Sequence, residues 1–365
     1  MPASRREFLQ SIACAGAGML AGAARSAAVG QGAGDGQAER PRVIDVHSHY
    51  WAPAYLDALR ASGDIPITTD ANGTVRIHYP GNVSTVVRGH SDLDFRAQLL
   101  DEHGIDLQVL SFSNPGTQVQ PPPAAVAGAR MFNDALAAAV AERPSRFAAL
   151  GTLPLNDPGA SARELERVVA ELGMRGALIL SNVDGVPLSD ARFWPLYETA
   201  DALGAVMFIH PTYPAATTGM TEYRLTALLG FLNDTTLAAA SLVYGGVVER
   251  FPRIRWVLAN LGGTIPFVAE RLDRGYEAFE DNRVNITRPP SEYLRGFYYD
   301  TVNFDPRALR LAAEFAGFDH LLAGSDYPAN IGSPRRMLDS IEAMGAADRD
   351  TRAVLGGNAA RLLGL

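Results

Sequence analysis

Val43-Ile44-Asp45-Val46-His47-Ser48-His49 is a mostly apolar run that ends in two histidines one residue apart. In an extended strand, residues i and i+2 point to the same face, so His47 and His49 are placed to grip one ion together. Imidazole suits zinc, iron, manganese and related metals. A catalytic site of that kind adds another histidine and a carboxylate, and leaves one position open to water or substrate. An isolated pair with this spacing also occurs on strands that bind nothing, so the rest of the chain decides.

One more histidine closes a buried-looking strand, at Ala205-Val206-Met207-Phe208-Ile209-His210-Pro211, where the proline stops the run. The same grammar recurs at His320-Leu321-Leu322-Ala323-Gly324-Ser325-Asp326-Tyr327-Pro328, and Asp326 supplies the carboxylate. Short apolar runs separated by helix-like stretches give eight strand candidates, at residues 43–50, 107–113, 147–155, 176–181, 205–211, 254–263, 297–302 and 320–328. Amphipathic segments lie between most of them. The stretch 161–173, for example, opens on Ser161 as a cap and ends in Gly173. Continuous hydrophobicity marks strands buried on both faces, as in a parallel sheet covered by helices. The expected fold is therefore α/β, a TIM-type (β/α)8 barrel over residues 42–365. Function in that fold gathers at the carboxyl ends of the strands, where His47, His49, His210 and Asp326 all fall.

IDVHSHY, FIHP, LGGTIPF and LLAGSDYP together resemble the amidohydrolase superfamily, in particular the branch around aminocarboxymuconate semialdehyde decarboxylase. The resemblance runs from about Arg42 to the C-terminus. It implies that His47, His49, His210 and Asp326 bind a single divalent metal, zinc first and manganese second. It extends to stretches with little chemistry of their own, such as residues 99–106 and Tyr299-Asp300-Thr301. One departure matters. The sixth strand of the decarboxylase branch usually ends in a histidine held to activate metal-bound water or pass protons, and here the run is Val257-Leu258-Ala259-Asn260-Leu261-Gly262-Gly263. The Asn260 amide can hydrogen-bond but cannot accept a proton at neutral pH. Asp326 is then the natural proton carrier.

Upstream, Ser4-Arg5-Arg6-Glu7-Phe8-Leu9-Gln10 precedes a weakly apolar Gly/Ala-rich segment and looks like a twin-arginine export signal over residues 1–28. A flexible linker over 29–41 would follow. The expected destination is the periplasm, reached through the twin-arginine translocation machinery. Cleavage near Ala28 removes Cys14, the only cysteine, so the mature domain would hold no disulfide. It also removes the net +2 of Arg5, Arg6, Arg25 and Glu7, taking the chain from −8 to about −10. An acidic domain without a basic run is a poor nucleic-acid binder. The other expected partner is a small-molecule substrate, and a homodimer is kept open as the assembly.

Residues 64–89 break the strand–helix rhythm. Strands at 65–69 and 74–79 flank Asp70-Ala71-Asn72-Gly73, a hairpin signal, and a third follows at 84–88. This small β insert after the first strand lies over the mouth of the barrel. Similar proteins place a substrate-carboxylate arginine in the insert, and Arg88 is the position matched to it. Pro121-Pro122-Pro123 reads as a rigid loop, and residues 213–233 as part of a lid. The leading expectation is a metal-dependent, non-oxidative decarboxylase of an aromatic or unsaturated carboxylic acid, with Asp326 and Asn260 in the chemistry. A hydrolase of a lactone, ester or amide, and a metal-binding barrel without activity, are the alternatives.

Overall fold

The computed structural model describes residues 40–79 and 82–365. The export signal and nearly all of the linker expected at the N-terminus lie outside the described residues. Strand β1 (Ile44–His49) is followed by three short strands, β2 (Ile67–Thr69), β3 (Val75–Tyr79) and β4 (Asn82–Thr85), and then by β5 (Leu107–Ser111). Next come β6 (Phe147–Ala149), β7 (Gly151–Thr152), β8 (Gly176–Leu180) and a small hairpin of β9 (Asn182–Val183) and β10 (Val186–Pro187). The series ends with β11 (Val206–His210), β12 (Arg255–Leu258), β13 (Tyr298–Asp300) and β14 (Leu321–Leu322).

Parallel pairing runs β1-β5-β6 in one arc and β7-β8-β11-β12-β13-β14 in the other. Two seams close the arcs into a barrel. Leu150, between β6 and β7, donates its N–H to Leu110 O at 3.0 Å, and Val46 N–H reaches Ala323 O at 2.8 Å beside the Ser48–Tyr327 bridge. All eight expected strands are therefore present, with β6 and β7 as two halves of the third. Ile44, Val46, Val109, Leu178, Leu180, Phe208 and Val257 fill the barrel, while a larger apolar cluster joins its outer face to the helices. This double burial explains the continuous hydrophobicity of the strands.

The register between β1 and β5 shifts between Asp45 and Ser48. Val46 belongs to the interior cluster, yet the ring of His47, the next residue, lies 5.4 Å from interior Phe208. The irregularity re-aims the strand end, a common use of a bulge beside a site. Gly324 completes the fit: a Cβ there would stand 3.0 Å from His47 Cβ and 3.1 Å from Asp300 Cβ.

A buried polar frame holds this end of the barrel. Asp45 accepts from Ser325 N at 2.9 Å, Ser325 Oγ at 2.5 Å and Gln108 Nε2 at 2.8 Å. Fully buried Arg96 donates to Gln108 Oε1 and Gly89 O, both at 2.6 Å, and to His49 O. Burial pulls Arg96 down to about 10, which leaves it charged at neutral pH. Removing one member strands the others without partners, so Arg96→Ala should lower the unfolding free energy by about 3–5 kcal/mol. Urea denaturation checks this, and a loss below about 1 kcal/mol would show that the frame carries little stability.

Three local expectations are corrected. The helix expected from Ser161 runs Pro158–Ala170, and its cap is Asp157, which accepts from Ala160 N at 2.9 Å. The triple proline is no loop, because Pro122 opens the helix Pro122–Glu142, where a missing N–H costs nothing. The third insert strand ends at Thr85, and Arg88 lies in the short turn Arg88–His90. The span Thr226–Tyr244 is long and apolar enough to cross a bilayer by length and composition alone. Here it is a wall element of the barrel, with Asp234 accepting from Ser181 and from Asn182 Nδ2 at 2.8 Å.

Candidate metal centre

His47 and His49 end β1, His210 ends β11, and Asp326 follows β14 in a left-handed backbone conformation with φ of 57°. One ligand-type atom from each lies within 4.8 Å of all the others, and all four residues are buried. His49 Nε2 is 2.9 Å from Asp326 Oδ1, His47 Nε2 is 3.4 Å from the same oxygen, and the two Nε2 atoms are 3.3 Å apart. Ligands each about 2.1 Å from a shared ion would lie about 3.0–3.4 Å from one another.

The donor chemistry fits a cation. His47 Nδ1 donates to Asp300 Oδ2 at 2.5 Å, and His210 Nδ1 donates to Pro211 O at 2.8 Å. In the neutral rings both Nε2 atoms are therefore bare lone pairs, and they converge with an acceptor-only carboxylate. Burial, reinforced by the other imidazoles, holds His49 and His210 well below the ordinary histidine value, so both are neutral ligands. For His47, burial works downward but the hydrogen bond and charge of Asp300 outweigh it, and the ring is pushed up. Burial pushes Asp326 up as well. A divalent ion would supply the positive charge that these converging donor atoms call for. Asp300 orients His47 from behind, and its other oxygen accepts from Leu261 N and Val302 N, both at 3.0 Å.

Three of the four, His49, His210 and Asp326, line an open cleft with a cavity volume of about 170 Å³. Trp51, Tyr213, Leu228 and Phe231 give it apolar lining, and the insert contributes Val83, Ser84 and Thr85. Asn260 lines the cleft beside the ligands, and its Oδ1 is buried with no partner among the described residues. Its φ of 55°, followed by 56° at Leu261, turns the chain sharply after β12, a conformation asparagine tolerates.

Arg88 is not brought to the site. Its side chain is 66% exposed, pairs with Asp92 Oδ2 at 2.7 Å and does not line the cleft. The arginine lining the mouth is Arg224, from the segment after β11. The turn that carries Arg88 outward carries His90 inward, where it lines the cleft at 6% exposure. The reading of the sequence passed over His90, although it follows Arg88 by two residues. It also passed over the part Asp300 plays, which had no local signal beyond a strand-end position.

Residues 44–365 match the family model described as Amidohydrolase. The chain is 35% identical, over 75% of its length and 77% of the relative's, to 2-amino-3-carboxymuconate-6-semialdehyde decarboxylase of Dictyostelium discoideum. Among solved structures, 5-carboxyvanillate decarboxylase of Sphingomonas paucimobilis superposes with a TM-score of 0.80 at 29% identity, covering 89% of this chain and 100% of that one. A dihydroxybenzoic acid decarboxylase of Polaromonas sp. JS666, solved with bound manganese and 2-nitroresorcinol, gives 0.74 at 28% identity, with 88% and 97% covered. On the match over residues 44–365, this chain belongs to the amidohydrolase family.

Proposed function

We propose that this chain is a metal-dependent, non-oxidative carboxy-lyase that removes CO2 from an aromatic or unsaturated carboxylic acid. The observation that carries the reading is the convergence of three imidazoles and one carboxylate beneath a cleft lined largely by apolar side chains. Likeness to relatives named as decarboxylases supports it. Zinc is the first proposed ion for His47, His49, His210 and Asp326. Manganese is the second, supported by the neighbour solved with it. The bound ion would supply the positive charge that fixes the substrate carboxylate.

The side chains do the rest. The apolar wall excludes water and holds a conjugated ring flat. Asp326 delivers a proton to the carbon that bears the carboxylate, the bond to that carboxylate breaks with its electron pair passing into the conjugated system, and CO2 leaves. Solvent at the mouth then returns a proton to Asp326. Asn260 hydrogen-bonds substrate without moving protons. The direct test incubates the metal-reconstituted protein with hydroxy-, methoxy- and carboxybenzoates, unsaturated diacids and lactones. One CO2 per acid consumed is the expected product, and hydrolysis of a lactone without CO2 release would replace the lyase by a hydrolase.

We also propose export by the twin-arginine route, on the Arg5-Arg6 pair and the weakly apolar segment after it. Replacing both arginines by lysine should leave precursor in the cytoplasm, whereas unchanged periplasmic accumulation would contradict the route.

A further inference from the structure

His90 is a buried polar side chain in the cleft that the metal cluster does not use. It ends the turn Arg88–His90, and the turn sits so close to the loop after β14 that a Cβ on Gly89 would meet Tyr327 Oη. A larger residue at Gly89 would have to push the Tyr327 ring aside. Both ends of the residue are then fixed. Its carbonyl accepts from Trp51 N at 2.8 Å, its own N–H donates to Val87 O at 2.9 Å, and its ring lies 4.5 Å from the Trp51 indole.

The backbone also decides which ring nitrogen carries the proton. Val87 N–H points at His90 Nδ1 from 3.0 Å and can only donate, whereas Val87 O, the alternative partner of that nitrogen, stands farther off at 3.3 Å. On the shorter of these two contacts Nδ1 is assigned as the acceptor, and in the neutral ring Nε2 then bears the hydrogen. Burial, with the charge of Arg96 behind it, holds the imidazole down to about 4, which agrees with a neutral ring. Nε2 has no hydrogen-bond partner among the described residues, while the side chain lines the cleft with His49, Trp51 and Asp326. A phenyl ring would pack on Trp51 as well as this imidazole does. What phenyl could not provide is a fixed N–H donor facing the space a substrate enters.

We infer that His90 Nε2–H is a substrate-binding donor that selects acids carrying an acceptor oxygen, such as a phenol, methoxy or second carboxylate group, on the side turned toward Trp51. An amino group in that position would set hydrogens against hydrogen and is disfavoured. The inference rests on the proposed carboxylic-acid substrate and narrows its class to oxygen-substituted acids. It gives the turn that follows the insert a recognition role through a neutral donor, in place of the charged one expected at Arg88.

The test measures dissociation constants by calorimetry on the metal-loaded protein, with benzoate and its hydroxy, methoxy, carboxy and amino derivatives, beside decarboxylation rates. His90→Phe keeps a flat ring against Trp51 and removes the donor. It should weaken the tightest oxygen-substituted acid by about 10- to 100-fold, while changing benzoate affinity less than about twofold and leaving metal content and melting temperature in place. His90→Gln restores an N–H near the Nε2 position and should recover affinity to within about fivefold of the native protein. Equal weakening of benzoate and its oxygen derivatives, unchanged affinity in His90→Phe, or no recovery in His90→Gln would overturn the inference. A His90-dependent preference without CO2 release would sustain it and sink the lyase reading. CO2 release indifferent to His90 would do the reverse.

Discussion

Replacing Asp326 by asparagine should lower kcat on a competent acid by about 10²–10⁴-fold, the usual cost of losing a general acid–base group. Asp326 is the one carboxylate lining the cleft among the described residues, and it sits at the ligand cluster with its Oδ1 2.9 Å from His49 Nε2. Its φ of 57° lies in a region asparagine enters as readily as aspartate, so the loop survives the change. The amide oxygen can still ligate, and metal content measured alongside separates lost proton transfer from lost ion. Asn260→Ala should be milder, because Asn260 is assigned hydrogen bonding alone. Asn260→Asp should be milder still, and Asn260→His would add a proton carrier at that strand end. A large loss in Asn260→Ala beside a nearly active, metal-bearing Asp326→Asn would reverse the two roles.

His210→Ala should weaken metal binding by more than about 100-fold, beyond the 10–100-fold typical of losing an outer partner. His210 comes from β11, across the barrel from the β1 pair, and its ring centroid lies 5.1 Å from that of His47 and 4.9 Å from that of His49. Without it the remaining nitrogens belong to one strand and leave one side of the ion to solvent. Metal analysis after dialysis against a mild chelator checks this. A variant that retains one tightly bound equivalent would remove His210 from the ligand set.

The barrel and its ligands were legible for a shared reason. A strand buried on both faces has to be apolar throughout, so a histidine or aspartate at the end of such a run stands out, and His47, His49, His210 and Asp326 each did. The supporting groups were not legible, because their meaning depends on neighbours far away in the chain. Asp300 reads as an ordinary polar strand end until His47, 253 residues earlier, is seen against it. Arg96 reads as a surface charge on an amphipathic helix, yet it is fully buried, with its guanidinium satisfied by Gly89, Gln108 and the carbonyl of His49. Arg88 failed for a local reason: the last insert strand was read three residues past its end at Thr85, and a tight turn at Gly89 reverses which side chains face the cleft. Asn260 stood out as a departure, and the structure places it in the cleft.

The central claim is that these four side chains hold one divalent ion at the floor of the cleft. Crystals of the metal-loaded protein, measured on both sides of the metal's absorption edge, test it most directly. The account predicts one anomalous peak about 2.0–2.2 Å from His47 Nε2, His49, His210 Nε2 and an Asp326 oxygen, with a coordination position open to the cleft. An anomalous peak elsewhere, or none in protein shown to carry a full equivalent of metal, would contradict it.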